Sequence, residues 1–459
     1  PIVIHFSLPR VGTGMRTVIV GAGEVGTSIA KSLESDHDVV VIDIDPELTE
    51  ALEYELDAMT LSGDGTAIST LRAADIESAD LFIASTDDDR TNLVACGTAK
   101  TLADPFTIAR TKSVNYLRTW EVTETAFGVD FMVSSDLLTA ENIVRVVGIP
   151  SAIDVDAFSG GLVRMAEFEI DGESPVAGQT VAEADRFESL TFAGLFRGDE
   201  LILPRGNTVI EADDRAVVIG SPESVQAFAS DIDPDMTPGE ADEIVVIGGS
   251  EIGYQTARLL EERSLSPRII ERDADRARYL AEELPNTLVM EHDATDTEFL
   301  AREHVDEADI VVAALESDER NLLVSVLAKR LGTDRVVAVV DNGEYVALFE
   351  EIGIDVAINP RQVIAEEVTR FTHGGVAENV ALLEGDQAEV LELKLTDASE
   401  LINRLIKDVA ADLEADVVFG AITRNGALIA PRGDTELYAG DHIVVFVESS
   451  FVEELTTMA

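Results

Sequence analysis

The strongest constraint on this chain is that it is written twice. Arg16-Thr-Val-Ile-Val-Gly-Ala-Gly-Glu-Val-Gly26 recurs as Glu243-Ile-Val-Val-Ile-Gly-Gly-Ser-Glu-Ile-Gly253, and 253 minus 26 gives an offset of 227. Ala79-Asp-Leu-Phe-Ile-Ala matches Ala308-Asp-Ile-Val-Val-Ala at an offset of 229, and Leu203-Pro-Arg-Gly-Asn-Thr208 returns as Ala430-Pro-Arg-Gly-Asp-Thr435 at 227. Small loop insertions account for the drift. Both halves must therefore share a fold, and 459 residues divide into three or four domains rather than one core. Asp233-Pro-Asp-Met-Thr-Pro-Gly-Glu-Ala241 has the Pro, Gly and acid content of a linker, placing the boundary near residue 236.

Within the first half, short apolar runs (Val18-Ile-Val, Val39-Val-Val-Ile, Leu81-Phe-Ile-Ala, Phe106-Thr-Ile-Ala) alternate with stretches of helical spacing. That alternation predicts right-handed crossovers and a Rossmann-like, doubly wound parallel sheet, once in each half. The later part of each half has brief, turn-bounded segments such as Phe192-Ala-Gly-Leu-Phe and Arg215-Ala-Val-Val-Ile, with hairpin signals at Arg197-Gly-Asp and Arg424-Asn-Gly. These predict a small α+β domain with an antiparallel sheet. The expected division is 15–134 and 242–358 for the nucleotide-type domains, and 150–232 and 376–459 for the small ones. Helices at 135–149 and 359–375 link them, and the linker spans 233–241. The linking helices carry more apolar surface than one contact needs. They either pack between the domains of one half or are exchanged to pair halves or subunits.

Gly21-Ala-Gly23-Glu-Val-Gly26 follows an apolar strand and enters a helical stretch. The first glycine makes the turn, the second lets backbone approach a pyrophosphate, and the third lets helix and strand pack closely. Helix N-terminal N–H groups then face the phosphates. The second strand ends at Asp43, placed to accept hydrogen bonds from ribose hydroxyls and to repel a 2′-phosphate, which favours NAD or an adenine nucleotide over NADP. Asp45, before Pro46, reads as a turn or helix cap. Gly63-Asp-Gly-Thr66 and Thr86-Asp-Asp-Asp-Arg-Thr-Asn92 follow the third and fourth strands at the edge where open sheets bind ligands, and Arg110 follows the fifth as a phosphate partner. The second half keeps Gly248, Gly253 and the acid Glu271. It has Ser250 for the middle glycine, Leu315 for Thr86 and Val339 for Arg110, so it is expected to bind weakly, differently or not at all.

The formal charge of -56, from 33 basic and 89 acidic residues with only six lysines, argues against nucleic-acid or anionic-lipid binding and suits a high-salt interior. Cys96 lies in an apolar stretch and reads as a core thiol, and no apolar run reaches the ~18 residues of a membrane span. The leader of residues 1 to 14 does not carry the fold. None of the six histidines recurs at a matching loop, and no metal cluster, nucleophile triad or P-loop is evident, so binding without turnover is the simpler account.

The motifs from Val18 to Gly26, Gly63 to Thr66, Thr86 to Asn92 and Ile108 to Arg110, with the two Pro-Arg-Gly-x-Thr segments, resemble the TrkA family of peripheral potassium-uptake subunits across nearly the whole chain. The resemblance implies tandem regulator-of-potassium-conductance domains, the first of each pair binding NAD(H) or ATP/ADP. It also implies a homo-oligomer, typically a tetrameric ring, on the cytoplasmic face of a TrkH-type membrane channel subunit. Carried over by position, Gly21, Gly23, Gly26, Asp43, Thr86, Asn92 and Arg110 are the implied nucleotide contacts. Glu24, Val25, Asp64 and Glu271 complete the candidate set. The competing reading is a soluble NAD-dependent oxidoreductase.

Overall fold

Runs of Val and Ile at the starts of the two halves become central strands because every residue in them can be buried on both faces. In a computed structural model that describes residues 14–34, 37–123, 126–149, 151–198, 200–232, 243–373, 377–383, 387–413 and 417–459, the first half opens with six strands. They are β1 (Arg16–Val20), β2 (Asp38–Asp43), β3 (Met59–Ser62), β4 (Leu81–Ala84), β5 (Phe106–Thr111) and β6 (Phe131–Ser134). All pair in parallel in the order β3-β2-β1-β4-β5-β6, so the chain reverses direction across the sheet beside β1, at the end where the glycine loop emerges. The expected linker at 233–241 and all but the last residue of the leader lie outside the described residues.

A five-stranded antiparallel sheet follows: β7 (Ala152–Phe158), β8 (Val163–Glu169), β9 (Leu190–Arg197), β10 (Glu200–Ile202) and β11 (Arg215–Gly220), ordered β10-β9-β11-β8-β7. The second half repeats the parallel sheet with β12 (Ile244–Ile247), β13 (Arg268–Glu271), β14 (Leu288–Glu291), β15 (Ile310–Ala313), β16 (Arg335–Val339) and β17 (Val356–Ile358) in equivalent order. It closes with β18 (Ala377–Leu382), β19 (Ala388–Lys394), β20 (Val417–Arg424), β21 (Ala427–Ile429) and β22 (His442–Glu448), ordered β18-β19-β22-β20-β21. Even the irregularities repeat. Ala193 bulges out of register between β9 and β11, and its counterpart Gly420 does so between β20 and β22.

The two six-stranded sheets belong to one compact unit and the two five-stranded sheets to another. In the first unit, the linking helix of the second half (Pro360–His373) inserts Ile364, Ala365 and Val368 among Ile19, Ile29, Val41, Ile83 and Ile108, the core of the first nucleotide-type domain. This helix thus takes the exchanged arrangement between halves. In the second unit, the small domains share one apolar layer that includes Phe158, Met165, Phe196 and Ile219 from one and Val390, Ala421, Val444 and Phe446 from the other. A Cβ on Gly194 would meet Phe446 at 2.7 Å, and one on Gly420 would meet Ile219 at 2.6 Å, so each sheet offers a glycine to the other's large side chain. Cys96 is buried, and burial pushes its thiol well above the ordinary range, as a core role requires.

Candidate nucleotide site

The glycine loop of the first half is built from three different demands. Gly21 has φ +111°, a conformation L side chains rarely adopt, and its N–H donates to Ile42 O at 2.8 Å, tying the loop to β2. A Cβ on Gly26 would lie 1.8 Å from Gly21 O, so the helix Glu24–Leu33 can pass this close only over a glycine. Gly23 is unlike both: a Cβ there would meet nothing within 4 Å, and no side chain caps the helix that starts after it. The open space and the uncapped helix start lie side by side, as a backbone-bound phosphate requires.

Asp43, at the end of β2, accepts from Ala22 N–H at 2.6 Å and Asp45 N–H at 2.8 Å, bracing the loop. Asp45 caps the next helix through Glu47 N–H at 2.9 Å. Ile44, between them, is 75% exposed, and Ile68 is also exposed just beyond the third-strand loop. Ile44 directly follows β2 and Ile68 opens the helix Ile68–Ala73. Sequence reading passed over them, although an isoleucine between two aspartates in a loop was a visible signal.

Arg110 is 8% exposed yet reaches Asp87 Oδ1 at 3.1 Å through Nη1, and its buried Nε has no hydrogen-bond partner among the described residues. Lys112 Nζ lies 3.4 Å from the same Asp87 oxygen. Burial works against the Asp87 charge, but Lys112 and Arg110 hold its carboxyl below the ordinary range. A solvent-facing carboxylate shared by two cations is a group that a phosphate could displace.

Other candidates hold the loops. Asn92 is fully buried: its Oδ1 accepts from Thr86 N–H (2.9 Å) and Thr86 Oγ1 (2.6 Å), and its Nδ2 donates to Thr86 O (2.9 Å) and Arg110 O (3.0 Å). Asn92 thus brackets the ends of two strands. Asn321 does the same with Leu315 N, Leu315 O and Val339 O, which explains why this asparagine survives in a half that lacks the threonine and the arginine. Asp64 accepts from Thr66 N–H and Oγ1 at 2.9 and 2.7 Å, which lowers its pKa, and Asp293 repeats this turn with Thr295. The Val25 side chain is buried in the core, leaving only its backbone at the loop.

In the second half, Glu271 accepts from Gly249 N–H and Asp273 N–H, both at 2.7 Å, as Asp43 does in the first. The rest differs. Ser250 Oγ accepts from Gly253 N–H at 3.2 Å and so caps the helix Glu251–Glu262. Arg276 lies across the loop: Nε donates to Gly249 O at 2.5 Å and Nη2 to Ser250 O at 3.3 Å, with the guanidinium 5.0 Å from the Tyr279 ring centroid. His292 is bonded to Asp296 and stacked on Phe299 at 3.9 Å between centroids, a local staple.

Among the described residues, no group of three or more His, Cys, Asp or Glu side chains could hold a metal, and no helix is long and apolar enough to cross a membrane.

Comparison with known proteins agrees with the duplicated architecture. The TrkA-N domain model matches residues 17–135 and 244–360, and the TrkA-C domain model matches 165–233 and 390–458. The chain is 35% identical to the Trk system potassium uptake protein TrkA homolog 1 of Methanosarcina mazei, covering 96% of this chain and 99% of that one. It is 32% identical to the Trk system potassium uptake protein TrkA of Halomonas elongata, covering 94% and 96%. Among solved structures, the GsuK channel bound to NAD aligns with a TM-score of 0.60 at 20% identity, over 99% of this chain and 80% of that one. The GsuK RCK domain aligns with a TM-score of 0.59 at 20% identity, over 99% and 97%.

Proposed function

Because the chain belongs to the TrkA family of potassium-uptake proteins, we propose that it is a regulatory subunit of potassium transport whose first half senses a nucleotide. The ligand is NAD(H) or ATP/ADP, bound without turnover, and the partner is a TrkH-type membrane channel subunit met at the cytoplasmic face by a homo-oligomer, a tetramer. The observation that carries this reading is the contrast between the loops. The first has open space at Gly23, an uncapped helix and a buried, incompletely partnered Arg110, whereas Ser250 and Arg276 close the second.

At the first loop, backbone N–H groups and Arg110 would hold the phosphates, Asp43 the ribose hydroxyls, and Ile44 with Ile68 the base. Regulation then follows as a population shift. The ligand favours whichever arrangement of the oligomer brings these elements together, by no more than its difference in affinity between arrangements.

The test is calorimetric titration of the purified full chain with NADH, ATP and ADP in concentrated KCl, followed by pull-down with a TrkH-type subunit in detergent. Saturable binding of at least one nucleotide, and co-purification that responds to it, is the expected result. Absence of binding to all three would sink the sensing role, and binding without co-purification would sink the transport role.

A further inference from the structure

The two halves place opposite charges at equivalent positions around their glycine loops. Lys112 of the first half corresponds to Asp341 of the second, at the 229 offset. The second residue of each linking helix is also reversed: Asp136 in Ser135–Val147, Arg361 in Pro360–His373. Because the second-half helix is buried in the first domain's core, its Arg361 arrives at the first half's loop. Arg361 Nη1 lies 2.5 Å from Oε2 of Glu24, the residue after Gly23. Asn359 Oδ1 accepts from the Arg361 and Gln362 N–H groups at 2.8 and 3.0 Å, fixing the helix start from which the side chain projects. Asp136 instead feels the like charge of Glu251, the residue after Ser250, along with the opposite charges of Lys112 and Arg110.

A carboxylate beside the phosphate cradle is unfavourable unless neutralised, and an arginine held by a partly exposed glutamate is available to a stronger anion. With Arg110 and Lys112, Arg361 makes three cations around the first loop, all held by two carboxylates, Asp87 and Glu24, that a phosphate can replace. A dinucleotide pyrophosphate carries about two charges and a nucleoside triphosphate about four, so three cations suit a terminal polyphosphate better. We propose that Arg361, supplied by the second half, is a ligand for the terminal phosphates of a nucleoside di- or triphosphate in the first half, which it reaches by leaving Glu24. The inference rests on the nucleotide-sensing role of the first loop and adds to it a residue, a ligand class and a route by which occupancy is felt in the other half.

The experiment is a mutant cycle on the full chain, titrated with ATP, ADP and NADH at one KCl concentration, with circular dichroism confirming the fold. Arg361→Gln is expected to weaken ATP by tenfold or more and NADH by less than threefold. Glu24→Gln is expected to tighten ATP, and the double variant to remain several-fold weaker than Glu24→Gln alone. Arg361→Lys, which keeps the charge, should recover part of the loss. Equal losses for ATP and NADH, no loss for ATP, or a double variant as tight as Glu24→Gln would overturn the proposal. A wild-type chain that binds NADH but neither ATP nor ADP would overturn it and leave the sensing role standing, whereas a chain that binds none of the three removes both.

Discussion

Gly23 and Gly26 stand three positions apart and carry different obligations, which makes them separable by the same substitution. Gly26→Ala puts a methyl group 1.8 Å from a backbone oxygen that cannot yield, and should cost roughly 2–4 kcal/mol in thermal or urea unfolding. Gly23→Ala meets open space at φ -73° and should leave stability within about 1 kcal/mol of wild type while weakening nucleotide binding tenfold or more in titration. Asp43→Asn exposes the second contrast: loss of its charge should weaken binding about tenfold, whereas Glu271→Gln, behind a loop closed by Arg276, should change it less than twofold. Residue spacing made the glycines and the strand-end acids legible, because backbone geometry dictates where they fall. Asn92 was legible as important but not as structural, since recurrence in both halves is equally the mark of a shared ligand and a shared bracket. Arg276 and Arg361 were not legible at all, because each acts through a partner remote in sequence.

At the scale of elements, the alternation of apolar runs with helical spacing was sufficient to read both parallel sheets, and turn-bounded short strands were sufficient for the antiparallel ones. The linking helices showed their surplus apolar surface in the sequence, but periodicity says how much of a helix is buried and not what buries it. The exchange has an electrostatic cost at Asp136, whose carboxyl is pushed up to about 6 by burial, with Glu251 adding to the effect. The folded chain therefore holds this proton more tightly than the unfolded chain, so the contribution to stability is present at low pH and is lost as pH rises through about 6. Asp136→Asn should accordingly raise the melting temperature at pH 8, by an amount equivalent to about 1–2 kcal/mol after allowing for solvent screening. The advantage over wild type should shrink as pH is lowered from 7 to 5. A pH-independent difference between the two proteins would contradict this assignment.

The molecule as a whole carries 89 acidic against 33 basic residues, and some of the cations are committed to specific partners, such as Arg197 with Asp214 and Arg424 with Asp441. Self-repulsion of the remaining carboxylates should make thermal stability climb steeply between about 0.1 and 1 M KCl, as the screening length contracts from ~10 to ~3 Å. A melting temperature flat across that range would show that the acidic surface is not under strain. The seating of Ile364, Ala365 and Val368 inside the other half's core has a consequence of another kind. A gene cut at the linker would yield two polypeptides, the first lacking the helix that completes its parallel-sheet core and each baring one side of the apolar layer that the small domains share. Residues 14–232 and 243–459, produced as separate chains in one cell, should therefore find each other and elute together, while 14–232 alone should recruit a second copy or precipitate. In this respect the protein behaves as a dimer whose two partners share a peptide bond.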